Sequence, residues 1–286
     1  MSTLTVAGMH RSGTSLTAQW LARCGVHVGD ACALSAAAIG NPRGQFEDED
    51  FVRLHESILR DNGLDSSMVR GLIPLHVSRA REDVARELIR VREGHGLWGW
   101  KDPRTALFLS LWKRLLPDLR VLAVYRPPDA VVDSLLRRRQ ARSRLERPAS
   151  LLGLDGVHWL GARARVAIRR SWCNLAMVRR HAEVWARYNA QLVEFAAQHP
   201  RDAVVIRIDR LRDHSTELIR ALNARWGLDL QVVTIESSFE ASLLHDAGES
   251  SRKGALLARL SPTSAAVLRE LERVERDSLY QLGLAL

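Results

Sequence analysis

Leu4 to Ala7 is an apolar, strand-like run that stops at Gly8, and five residues later Gly13 opens a segment of helical character from Thr14 to Arg23. A strand that turns through two spaced glycines into a helix is compatible with few architectures. The turn also receives the positive end of the helix dipole and the unpaired amides of the first turn, so it is suited to an anion. Leu97 to Trp100, Arg120 to Tyr125 and Ala203 to Ile208 are further strand candidates. Between the first two of these, Thr105 to Leu116 carries Leu107, Leu111, Trp112 and Leu115 at helical spacing, as a crossover joining parallel strands requires. Trp172 to Ala197 and Thr263 to Leu282 read as long helices. This order predicts an α/β fold of three layers, α/β/α, with a central, mainly parallel sheet. The 286 residues contain neither an internal repeat nor a dividing linker. A chain of about this size can bury roughly three quarters of its unfolded surface, so residues 1–286 are expected to form a single domain.

In parallel sheets flanked by helices, ligands bind at the carboxyl ends of the strands. Three candidate strand ends here carry polar clusters: Gly8 to Ser15, Lys101 to Arg104, and Arg126 to Ser134. Gly8-Met9-His10-Arg11-Ser12-Gly13-Thr14-Ser15 keeps the G-x-x-x-x-G spacing of the phosphate loop of nucleoside-triphosphate enzymes. That loop continues with lysine, whereas Thr14 stands here and the cation is Arg11, within the loop. A magnesium-dependent kinase, the alternative enzyme reading, therefore loses support. Arg11 offers a fork of donors, and Ser12, Thr14 and Ser15 offer hydroxyls, for a phosphate or sulfate. In the third cluster Arg126 precedes Ser134 by eight residues across a turn and a helix start, a spacing that can grip a second phosphate.

At these two elements the chain resembles the sulfotransferases that use 3′-phosphoadenosine 5′-phosphosulfate (PAPS). Arg11-Ser12-Gly13-Thr14 matches their first loop, and Arg126 with Ser134 matches their R-x-x-x-x-x-x-x-S element. The resemblance implies a sulfotransferase fold akin to that of the P-loop nucleotide enzymes, with Arg11 to Ser15 on the 5′-phosphosulfate and Arg126 and Ser134 on the 3′-phosphate. Arg252-Lys253-Gly254 resembles the family's closing loop on the same phosphate. Leu16 stands where the cytosolic branch often has an aromatic residue, which leaves the adenine contacts open. The reaction implied moves a sulfuryl group to a hydroxyl or amine of an acceptor and leaves adenosine 3′,5′-bisphosphate. No metal is expected, because arginine and lysine grip the leaving group.

Such a transfer needs a base and cations. Asn41-Pro42-Arg43-Gly44-Gln45-Phe46-Glu47 resembles a stretch of the bacterial and carbohydrate-like branch, in which the glutamate is the implied base. Phe46 would partly desolvate the Glu47 carboxylate, the direction a general base needs. Asp102, at the strand end where cytosolic members carry K-T-H, is a second candidate, and His10 in the loop is a third. Arg11 is assigned to the bridging oxygen and Lys101 to the transferring group. The acceptor, a small molecule, carbohydrate or lipid, is expected against 31–51, the region before Arg79 and a helical insertion around 139–172, where His158 and Trp159 could contact it.

Charge refines the partner. The chain has 42 Lys plus Arg against 33 Asp plus Glu, yet only Lys101, Lys113 and Lys253 are lysines. Arg137 to Arg180 alone carries a net charge of +10, leaving −1 for the rest. That concentration predicts an anionic acceptor or a membrane-surface contact. A nucleic-acid partner is not expected, since aromatic residues are 6% of the chain and none falls between Arg137 and Arg147. Cys24, Cys32 and Cys173 form no C-x-x-C pair, and the opening residues lack the basic lead and apolar run of a secretory leader. A cytoplasmic protein is the expectation.

Overall fold

The computed structural model describes residues 2–30, 46–65, 75–145, 160–238 and 250–284, side chains at 140–145, 160–174, 237–238 and 250–253 excepted. Its sheet consists of β1 (Ser2–Ala7), β2 (Leu97–Trp98), β3 (Leu119–Tyr125) and β4 (Ala203–Arg207), all parallel, in the order β2-β1-β3-β4. The alternation of side chains builds the layers. In β3, Leu119, Val121, Ala123 and Tyr125 face one apolar cluster, while Leu122 and Val124 face another. β4 divides the same way, with Ala203 and Val205 opposite Val204 and Ile206. Both faces are therefore covered, which is why the strands read as nearly continuous apolar runs.

The first cluster takes its helical partners from α2 (Glu49–Asp61), α3 (Arg79–Arg92), α4 (Leu109–Leu115), α5 (Pro128–Leu145), α6 (Leu160–Gln198) and α10 (Pro262–Gln281). The second is closed by α1 (Thr14–Arg23) and α8 (Ser215–Trp226), with Ile208 and Leu211 of the short α7 (Ile208–Asp213) between them. This is the expected three-layer α/β arrangement.

Several boundaries differ from expectation for local reasons. Ile208 begins a helix rather than ending a strand, with Arg207 as its extended N-cap. The crossover after β2 divides into a 3-10 turn, Pro103–Leu107, and α4, because Asp102 caps the Arg104 amide and Pro103 occupies the first turn. β2 shortens to two residues, but pairing resumes where the Val6 amide meets the Trp100 carbonyl at 3.2 Å. α6 starts at Leu160, twelve residues before the expected Trp172. Residues 146–159 of the anticipated insertion, His158 and Trp159 included, and 31–45 of the expected acceptor region lie outside the described residues.

The chain moves from β1 to one neighbour, β2, then crosses back to the other, β3. Strand order thus reverses between β1 and β3, the place where open α/β sheets form a ligand crevice. Two of the polar clusters flank it.

Candidate functional site

The loop from Gly8 to Gly13 joins β1 to α1, and its glycines are needed at both ends. A Cβ on Gly8 would stand 2.2 Å from the Val124 carbonyl oxygen of β3. Gly13 adopts φ 89° and would meet Ile208 at 2.5 Å. No side chain caps the first turn of α1, leaving its amides for another acceptor. Within the loop Arg11 holds φ 70°, a left-handed conformation uncommon for a residue with a side chain.

That backbone brings Arg11 across the reversal point, where its Nε–H donates to Ser134 Oγ at 2.9 Å. Two elements 123 residues apart in sequence are joined by this bond. Ser134 lies buried on α5, and Trp185 of α6 donates to the Arg126 carbonyl at 3.0 Å, fixing the end of β3. Burial pushes the Arg11 guanidinium below its usual pKa, and the charges of Arg138, Arg126 and Arg137 push the same way. Arg126 is lowered likewise, by burial first and then by Arg137, although Asp129, Asp209 and Asp133 oppose the shift. Crowded cations with partly desolvated guanidinium groups form a site that an anion would relieve. Ser12 supports that reading, since its Oγ is buried without a hydrogen-bond partner.

At the neighbouring strand end, the Lys101 ammonium meets the Glu47 carboxylate at 2.8 Å, both largely buried. Desolvation pulls the lysine pKa down, and Glu47 offsets part of that shift. Arg92 clamps the adjoining turn by pairing with Asp48 and Asp50, each at 2.8 Å, so Glu47 is set by the N-terminus of α2 and by α3. Phe46 instead packs towards the second apolar cluster and holds φ 52°.

Asp102 is fully buried and bonded through both oxygens. His55 Nδ1–H donates to one at 2.7 Å; Arg104 reaches the other through Nη1 at 2.8 Å and its amide at 3.2 Å. Trp112 Nε1–H donates to His55 Nε2 at 2.9 Å, which leaves the imidazole proton on Nδ1, facing the carboxylate. Burial disfavours the charged carboxylate, yet the bonds from His55 and Arg104 prevail and hold its pKa well below the usual range. Arg104 also pairs with Glu56 at 2.7 Å.

His10 lies within electrostatic reach of Lys101, Asp102 and Arg104, with Nε2 buried and unpartnered and its ring edge-on to Tyr188 at 6.0 Å. Burial and the charge of Arg104 lower its pKa to about 3, with further lowering from Lys101 and Arg138 and opposition from Asp102.

Arg252, Lys253 and Gly254 form part of a helix, α9 (Ser250–Leu260), rather than a loop. Leu257 of that helix buries against Val132 and Ala182, and such apolar anchoring favours continued helix over the roughly 1 kcal/mol that Gly254 costs. A Cβ on Gly254 would lie 3.9 Å from Asp129 Oδ2, which places α9 beside the start of α5. The Arg252 and Lys253 side chains lie outside the described residues.

Sequence reasoning missed His55, Glu56, Trp112 and Tyr188 as neighbours of the site. One signal was available for His55, which shares the apolar face of α2 with Phe51, Leu54 and Ile58. No group of acidic, cysteine or histidine residues suited to a metal occurs among the described residues, and no described helix is long and apolar enough to cross a membrane.

No protein-family model matches the chain, and no curated protein matches it significantly. Among solved structures, a crystal structure of a sulfotransferase from Mycobacterium tuberculosis H37Rv is similar at 11% identity, over 91% of this chain and 76% of that one, with a TM-score of 0.42.

Proposed function

We propose that this protein is a sulfotransferase that takes its sulfuryl group from PAPS. The observation that carries the proposal is the Arg11–Ser134 hydrogen bond, which unites the two motif elements at the reversal point of the sheet. The residues present fit this donor: the uncapped start of α1, the unpartnered Ser12 hydroxyl and the crowded arginines all favour a polyanion. Arg11, Ser12, Gly13, Thr14 and Ser15 would hold the phosphosulfate, and Arg126 with Ser134 the 3′-phosphate. When bound, the donor supplies an activated sulfuryl group and a stable bisphosphate leaving group.

Glu47 takes the proton of the acceptor hydroxyl or amine, and Lys101 beside it orients the carboxylate and adds positive charge near the transfer. Asp102, saturated by His55 and Arg104, positions the strand end instead of acting as the base. Arg137 and Arg138, exposed on α5 and within electrostatic reach of Arg11, support an acceptor that carries its own negative charge. The working compartment is taken to be the cytoplasm.

Calorimetric titration with adenosine 3′,5′-bisphosphate tests the reading. Micromolar binding is expected, with Ser134→Ala and Arg126→Ala each weakening it about tenfold or more, the scale of a lost charge-assisted hydrogen bond. No detectable binding would overturn the proposal, and tighter binding of ATP would favour a kinase.

A further inference from the structure

The proposed reaction gives no part to His10, the loop residue that precedes Arg11. Its Nε2 is buried, and among the described residues no group bonds to it. Arg104, three residues beyond Lys101, is in a similar position. Its Nη1 and Nη2 reach Asp102 and Glu56, but Nε is buried without a partner, and only 8% of the residue is exposed. The two side chains share a neighbourhood. Arg104 is the charge that acts most strongly on His10, and it acts on Tyr188 too, whose ring stands 6.0 Å from the imidazole. Leaving a buried polar atom unpaired is costly, so two of them in one neighbourhood, next to the groups assigned to the transfer, point to a polar group of a ligand.

The chemistry of that group follows from the two atoms. Burial and the charge of Arg104 keep the imidazole neutral, with a pKa of about 3. The same charge favours the tautomer that leaves a lone pair, and not a proton, on the buried nitrogen. Nε2 then accepts a hydrogen bond, while Arg104 Nε–H donates one. A hydroxyl satisfies both demands; a carboxylate has no hydrogen for His10, and an ammonium has no lone pair for Arg104. The hydroxyl concerned is not the reacting one, whose single proton goes to Glu47. We propose that His10, with Arg104, holds a second, non-reacting hydroxyl of the acceptor and selects acceptors that carry one. This rests on the sulfotransferase reading and adds specificity-determining residues to it.

The test measures kcat and KM for sulfuryl transfer from PAPS to cis-1,2-cyclohexanediol, cyclohexanol and cis-2-aminocyclohexanol. In kcat/KM the diol should exceed each of the others about tenfold or more, the worth of one hydrogen bond to a buried group. His10→Leu should bring the ratio of diol to cyclohexanol to about one, chiefly through KM for the diol, as expected for a contact made equally in the ground and transition states. His10→Gln, whose Oε1 replaces Nε2 as an acceptor, should keep most of the preference. A merely structural role would lower both acceptors alike and leave the ratio unchanged. Equal use of diol and cyclohexanol by the wild-type protein, an unchanged ratio in His10→Leu, or no transfer to any of the three while adenosine 3′,5′-bisphosphate binds would each overturn the proposal. The wild-type comparison stands even if His10→Leu misfolds. Absence of bisphosphate binding would overturn the sulfotransferase reading as well, which separates the two failures.

Discussion

Arg11 holds a left-handed backbone, a conformation that costs on the order of 1 kcal/mol for a non-glycine residue, and that backbone delivers its side chain to Ser134. Glu47 and Lys101 are matched in a comparable way, 54 residues apart in sequence and 2.8 Å apart in space. Two residue-scale outcomes follow. Glu47→Gln preserves shape and removes basicity, so turnover with saturating PAPS should fall by about 10²-fold or more; a loss below about tenfold would remove Glu47 as the base. Gly8→Ala drives a methyl group into the Val124 carbonyl, and urea denaturation should show a loss of about 2 kcal/mol or more, with an unchanged midpoint contradicting the close approach. Motif position singled out Arg11, Ser134, Glu47 and Lys101 as candidates. Their pairings were not legible, because nothing local encodes which side chain 50 or 120 residues away will arrive.

At the scale of elements, α10 holds the ends of β3 and β4. Tyr125, the last residue of β3, donates to Glu275 of α10 at 2.7 Å, and the same carboxylate accepts from the Arg207 amide at 2.8 Å. This buried pin sets Arg126 at the crevice. Tyr125→Phe should leave one carboxylate oxygen without its donor and cost about 1–3 kcal/mol in urea denaturation; a neutral result would mean that Arg207 and Arg210 suffice. α2 holds the turn that follows β2, through the His55 bond to Asp102. α1, β3 and α10 were readable from apolar periodicity to within a residue or two. α9 was not, since the short basic R-K-G run matched a loop motif while the deciding contact, Leu257 against Val132 and Ala182, is long-range.

For the molecule as a whole, pH is the most informative variable. His10, with a pKa of about 3 in the fold, stays neutral there, whereas in the unfolded chain it takes up a proton as pH falls below about 6.5. His27 and His181 are lowered as well, first by burial and then by His95 and by Arg180 respectively. Stability is therefore fully present above about pH 6.5 and declines as pH falls towards the folded values. Between pH 7.5 and 5.5 His10 alone should contribute a loss of about 1 kcal/mol, measured as a drop in the urea midpoint that His10→Gln removes. A midpoint independent of pH over that range would refute the assignment. The carboxylates held low, Asp50, Asp102 and Asp209, lose their contribution only below about pH 4.

The alternation of buried side chains, the glycine turn into α1 and the concentration of arginine after residue 137 are local or compositional properties, so the α/β class and the strand–glycine turn–helix opening could be read directly from residue order. Strand order, the reversal between β1 and β3, and the meeting of Arg11 with Ser134 and Glu47 with Lys101 were decided in three dimensions. They depend on packing helices against both faces of one sheet, a collective condition in which each contact exists only because distant parts of the chain have already been brought together.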